Sequence, residues 1–258
     1  MDAAREKARS KTSTRAVRKL TTVVDGRPRF VDAPPLVVSL ATIAGPQRAA
    51  DLAEQVRAFF ASYRSTLPHD RQHLLSQFEV VDIAHKVVGV GSVGMRAFIV
   101  LLAGRNDSVL VLQIKEAAAS ALEAFLGPSR FAVPGQRVVE GQRLMQAASD
   151  LFLGWSTSEQ DGRHYYWRQL ADMKGSADIG AMSPSALAIH ARLCGWTLAR
   201  AHARSGSPEA IAGYLGGKPV LDRAIAAFAS AYADQNDADF EAYLQAIADG
   251  RVEARTAV

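Results

Sequence analysis

Glycines spaced as GxGxxG, in Gly89-Val90-Gly91-Ser92-Val93-Gly94, are the sharpest chemical signal in this sequence. In a dinucleotide-binding fold this spacing lies between a strand and a helix, with an acidic residue about 20 positions further on. Here both flanking segments read as strands. That context fits a β-hairpin whose backbone N–H groups close over nucleotide phosphates, as in protein kinases; a plain glycine-rich turn is the competing reading. Lys115 follows the apolar run Val111-Leu112-Gln113-Ile114, which would set its ammonium at the edge of a buried site. In the kinase arrangement such a lysine contacts the α- and β-phosphates and is held by a helix glutamate. Glu140 is the expected partner, with Glu123 as its competitor. On the same mapping Arg168-Gln169-Leu170 leads into a hinge whose backbone reads adenine, so Gln169 and Leu170 become nucleotide contacts. Asp172 and Lys174 would border the cleft.

Other constellations are weaker. His69 and His73 sit four apart, as in a zinc-protease helix, but Asp70 stands where a longer glutamate is needed and no third ligand is evident. His190, His202 and Cys194 read as packing or capping residues, Cys194 as a free core thiol. Asp234, Asp237 and Asp239 are the only dense acidic group near the C-terminus, and helix capping by Asp237 explains them more simply.

These residues need elements to position them. Gly45-Pro46 opens an amphipathic helix with Leu52, Val56, Phe59, Phe60 and Tyr63 on one stripe. A short helix follows over 70–77. Strands are predicted over 78–88, 95–102 and 109–115, forming an antiparallel meander, then over 150–155 and 164–170. Helices are expected over 117–126 and 136–149, the second burying Val138, Val139, Leu144, Met145 and Ala148. Ser183-Pro184 starts a helix running to Ser205. Helices over 221–232 and 237–249 complete the chain, with Phe228, Tyr232, Phe240 and Tyr243 as core candidates. The expected fold class is α+β. A five-stranded antiparallel small lobe with inserted helices (78–174) lies between an extended and helical leader (20–77) and a helical lobe (175–258), and the basic tail 1–19 is expected to be flexible.

The 258 residues, 48% hydrophobic and 22% charged, exclude a disordered chain. One cysteine cannot form an internal disulfide, and no apolar run approaches the roughly 20 residues that span a bilayer, so the cytoplasm is the expected compartment. The formal charge of +4 is localised: seven basic residues against Asp2 and Glu6 give residues 1–19 a net +5, and the remainder sums to −1. Nucleic-acid binding through this tail is the third functional reading, after a nucleotide enzyme and a non-catalytic scaffold or regulatory module.

Longer segments are more specific. HKVVGVGSVGMRAFIVLLAG, LQIKEAAAS, GQRVVEGQRLMQAASDLFLGW, YYWRQLADMKGS and LCGWTLARAHARSG with IAGYLG resemble the bacterial family of unknown function DUF2252, from about Lys19 to Arg251. That family in turn resembles the protein-kinase-like superfamily of aminoglycoside and choline phosphotransferases. The resemblance implies a kinase-like small lobe, ATP with Mg²⁺ as cofactor, an unidentified small-molecule phosphoryl acceptor, and a site built from Gly89, Gly91, Ser92, Val93, Gly94, Lys115, Glu140, Gln169 and Leu170. Two acidic motifs of the family, Gly-Asp-x-His-x-x-Asn-Phe-Gly and Asn-Asp-Phe-Asp, precede this region and occur nowhere in these residues. The chain therefore resembles the latter part of the family, and a partner chain supplying those motifs is an expected requirement for catalysis.

Overall fold

The structure is a computed structural model that describes residues 13–45, 48–87, 94–106, 108–170 and 177–254. It divides into two compact units, Met1–Ala201 and His202–Val258. The first unit is built on a six-stranded antiparallel sheet. Its strands are β3 (Val37–Ser39), β4 (Glu79–Lys86), β5 (Ala97–Ala103), β6 (Val109–Glu116), β7 (Gly154–Thr157) and β8 (His164–Gln169), in the spatial order β3-β4-β5-β6-β8-β7. Strand β5 is central and covered on both faces, so it reads as the unbroken run AFIVLLA instead of an alternating pattern.

Helix α3 (Ala49–Ser65) presents Val56, Phe59, Phe60 and Tyr63 at helical spacing to one sheet face. There they pack with Ile83, Val100, Leu112, Ile114, Tyr165 and Trp167. Tyr63 stacks on Trp167 at 4.3 Å between centroids, and its hydroxyl donates to the Phe152 carbonyl at 2.7 Å. Helices α2 (Leu40–Ala44) and α4 (His69–Leu75) flank α3 in the chain. The other face carries Ala84, Ile99, Leu101 and Val111, covered by Val17 of α1 (Ser13–Leu20) and by Phe30. Phe30 ends the hairpin β1 (Thr21–Val24) and β2 (Arg27–Phe30), whose two-residue turn Asp25-Gly26 has φ of 51° and 73°, the conformation such hairpins require. The buried Asp82 carboxylate fastens this hairpin by accepting from Phe30 N–H at 2.8 Å, and burial pushes its carboxyl up.

After β6 come the short α5 (Glu123–Leu126) and α6 (Pro134–Met145). Helix α6 lies so close to β7 and β8 that a side chain at Gly135 would run into the Tyr165 carbonyl. Helix α7 (Pro184–Ser205) follows, and the second unit contains α8 (Pro208–Leu215), capped by Ser207, and the 29-residue α9 (Val220–Ala248).

Several expectations are corrected. The main sheet has six strands, not five, because Val37–Ser39 pairs with Lys86–Ala84; three residues are too few to show alternation. The portion of the basic tail from Ser13 onward forms α1. The strand expected over 150–155 begins at Gly154, since Asp150 is engaged in a turn, accepting from Phe152 N–H at 2.8 Å and Gln169 N–H at 3.0 Å. The helix expected over 117–126 shrinks to its last turn. The two terminal helices are one, with Asp237 inside it instead of capping it and Gln235 bridging to Asp239 one turn on at 2.8 Å. Phe228, Tyr232, Phe240 and Tyr243, expected in a core, are exposed, as is Cys194. On α6 only Val139 of the expected apolar face is fully buried; Leu144 and Met145 are exposed.

A methyl group at Gly154 would meet Tyr63 Cε2 at 2.8 Å and Leu67 Cδ2 at 2.9 Å. Gly154→Ala is therefore expected to lower unfolding stability by about 1–3 kcal/mol through overpacking, measurable by urea denaturation, whereas Gly141→Ala, which meets nothing within 4 Å, is expected not to.

Candidate functional site

Along β6 the side chains alternate: Leu110, Leu112 and Ile114 enter the α3-covered core, leaving Val111, Gln113 and Lys115 for the α1 face. Lys115 pairs with Ala97 on one side and Tyr166 on the other. On the next strand Lys86 lies one residue beyond the His85–Phe98 pair, on the same face as Ala84. One row thus places Lys86 and Lys115 on either side of Ala97, two strand spacings or about 10 Å apart. The alanine between them is itself buried, at 3% exposure. Arg168 shares this face, its guanidinium donating twice to Gln113 Oε1 at 3.2 and 3.1 Å.

The row is cationic and partly dehydrated. Burial, followed by the nearby Arg168, lowers the Lys115 ammonium pKa; burial, followed by Lys19 at the end of α1, lowers that of Lys86. Among the described residues no carboxylate contributes to either shift. The face that carries Lys86, Lys115 and Arg168 suits a ligand with several negative charges. Arg137 of α6 donates from Nη2 to the Ala118 carbonyl at 2.9 Å, and among the described residues its buried Nε has no partner.

Of the residues predicted from sequence, Gly89, Gly91, Ser92 and Val93 lie outside the described residues, as do Asp172 and Lys174. Gly94 is in a turn at φ 80°, a conformation that favours glycine. The expected Lys115–Glu140 pair is not formed: Glu140 accepts from Arg143 at 2.9 Å, one turn along its own helix. Glu123 is no substitute, because its carboxylate accepts from the Ser120 N–H. Gln169 and Leu170 do reach the end of β8, but both N–H groups are engaged, with Asp150 and with the Val111 carbonyl at 3.0 Å. Leu170 also packs into the cluster that holds Val17 of α1. Neither N–H is open to a base in this arrangement. Among the described residues no cluster of three or more His, Cys, Asp or Glu could hold a metal, His69 and His73 included.

Sequence reading missed Lys86 and named Arg168 only as part of the strand leading into the hinge. Lys86 carried a usable signal, a lone charge closing a strand just before the glycine segment. The place of Arg168 beside Gln113 required the register of β8.

A family model described as "Uncharacterized protein conserved in bacteria (DUF2252)" matches residues 1–246. No curated protein and no solved structure matches the chain. Among the described residues no helix is long and apolar enough to cross a membrane.

The lowered lysines make a pH-dependent prediction. A polyanion on this face favours the charged ammonium and returns both pKa values toward 10.5, so binding takes up protons between the lowered values and 10.5. Calorimetry of tripolyphosphate binding just below pH 10.5, in two buffers of different ionisation enthalpy, is expected to show this uptake in the wild type and to lose it in a Lys86→Met, Lys115→Met double variant.

Proposed function

The chain belongs to DUF2252, a family of uncharacterised bacterial proteins, and on that premise we propose that it binds the phosphates of a nucleoside triphosphate, ATP with Mg²⁺, on a kinase-like small lobe. The single observation that carries this reading is the Lys86, Ala97, Lys115 row: two partly dehydrated cations, without carboxylate partners among the described residues, at the sheet end where residues 87–96 join β4 to β5. The sequence of that connection includes Gly89, Gly91 and Gly94, and glycine, lacking a Cβ, is the residue type that permits close backbone approach to a phosphate. The chain order also supports it: glycine segment, lysine strand, helix, then two further strands.

The residues fit a triphosphate better than they fit its base or a resident metal. Lys86, Lys115 and Arg168 neutralise phosphate oxygens, while α1 covers the sheet beside Leu170, where the base would lie. Mg²⁺ would arrive on the phosphates, supplying charge neutralisation there. Transfer to a small-molecule acceptor also needs a carboxylate to orient the nucleophile and further metal ligands. The two acidic motifs that would provide them are absent from the sequence. Phosphoryl transfer is thus the proposed activity of an assembly that includes those motifs, and phosphate binding is that of this chain. A binding module without catalysis is the second reading, favoured by the engagement of Glu140 with Arg143 instead of Lys115.

Calorimetry with MgATP and MgGTP tests this. Both nucleotides are expected to bind with similar affinity while α1 covers the base region, and Lys115→Ala is expected to weaken each about tenfold or more, the scale of a lost charged hydrogen bond. Equal affinity of the wild type and the variant removes the proposed role of Lys115.

A further inference from the structure

We propose that a cavity on the opposite sheet face, about 500 Å³ in volume, binds a small organic cation, an amine or ammonium compound with a hydrocarbon body. It opens between α3, the β4–β5 ladder and the turn joining β7 to β8, and it is independent of the phosphate reading. Its volume is that of a small-molecule site.

The wall is aromatic. Phe59 meets Tyr165 edge-on at 5.4 Å, and Phe98 lies 6.3 Å from the same ring, backed by Ile83. The rim is acidic: Asp51, Glu54, Glu159 and Asp161 line it, against Arg96 as the one cation among the described lining residues. Arg96 is committed to Asp161 at 2.7 Å, and Arg163 reinforces that pair at 3.2 Å. Among the described residues Asp51, Glu54 and Glu159 have no salt-bridge partner, so the exposed rim of this aromatic-walled cavity carries uncompensated negative charge.

Each class of ligand meets this differently. An anion is repelled by the three carboxylates, and a neutral apolar molecule would strip water from them without return. A bare metal ion needs a convergent oxygen set that these residues do not form. A cation with apolar substituents satisfies both parts, its charge toward the rim and its body on Phe59, Phe98 and Tyr165.

Benzylammonium and its neutral isostere benzyl alcohol are suitable probes, by calorimetry on the whole chain at neutral pH. The ammonium is expected to bind at one site at least about tenfold more tightly than the alcohol, and to weaken as salt is raised. Asp51→Asn with Glu54→Gln is expected to erase that preference about tenfold while leaving the alcohol unchanged. Phe59→Leu should weaken both, and Lys115→Ala should affect neither, which separates this site from the phosphate face. Should the rim variant fail to fold, the salt dependence of the wild type, present for the ammonium and absent for the alcohol, decides alone. Equal affinities of the two probes, a rim variant that binds benzylammonium as the wild type does, or no binding at about 10 mM would each overturn the proposal.

Discussion

Tyr63 lies nearly flat on Trp167, with 8° between the ring planes, and both side chains are fully sealed from solvent. The stack joins the last turn of α3 to the strand β8, and the Tyr63 hydroxyl ties the same helix to the Phe152 carbonyl just before β7. Burial raises the Tyr63 phenol pKa well above its usual value, so it remains the neutral donor this bond needs. Trp167 completes the arrangement by donating from its indole N–H to Ser156 Oγ on β7 at 2.7 Å. These polar atoms sit where water cannot reach, so each contact must be made or the group is stranded. The requirement extends to Gly154, whose bare Cα lets Tyr63, Thr66 and Leu67 close over β7.

The site on the far face inherits its geometry from this packing. With Trp167 held in the core, its neighbours Tyr166 and Arg168 must point the other way, toward Lys115 and Gln113. A one-residue slip of β8 would put Arg168 into the aromatic core and Trp167 beside the lysines, an exchange too costly to compete. The cationic row is therefore set by hydrophobic packing on the opposite side of the sheet. The same sheet separates two unlike environments: partly buried lysines on either side of a small residue on one face, an aromatic cavity with an acidic rim on the other.

The helices beyond the sheet follow a different rule. Helix α7 exposes Trp196 to 58%, and in the second unit Phe228 is 65% exposed and stacked on Tyr232 at 5.6 Å, one turn away on α9. Their helicity comes from Ala-rich sequence and local pairs such as Gln235 with Asp239, neither of which needs a covered face. Apolar spacing shows that a stripe exists. It does not show that anything lies against it, which is why these aromatics were misplaced in a core.

By itself the sequence determined the α+β class, the β4–β5–β6 meander, the start of α7 at Ser183-Pro184 and the family, because period, caps and long motifs are local properties of the chain. Lys115 as a candidate cation was legible for the same reason, closing an apolar strand. Its partners were not. Glu140 was expected to meet it across space, yet an arginine three residues away on the same helix takes that carboxylate at far lower entropic cost. The approach of Lys86 and Arg168 to that row, the occupied N–H groups of Gln169 and Leu170, and the cavity beneath Phe59 all depend on strand order and register across scores of residues. Only the tertiary structure decided these, since they arise from which faces the buried aromatics leave free and not from any spacing along the chain.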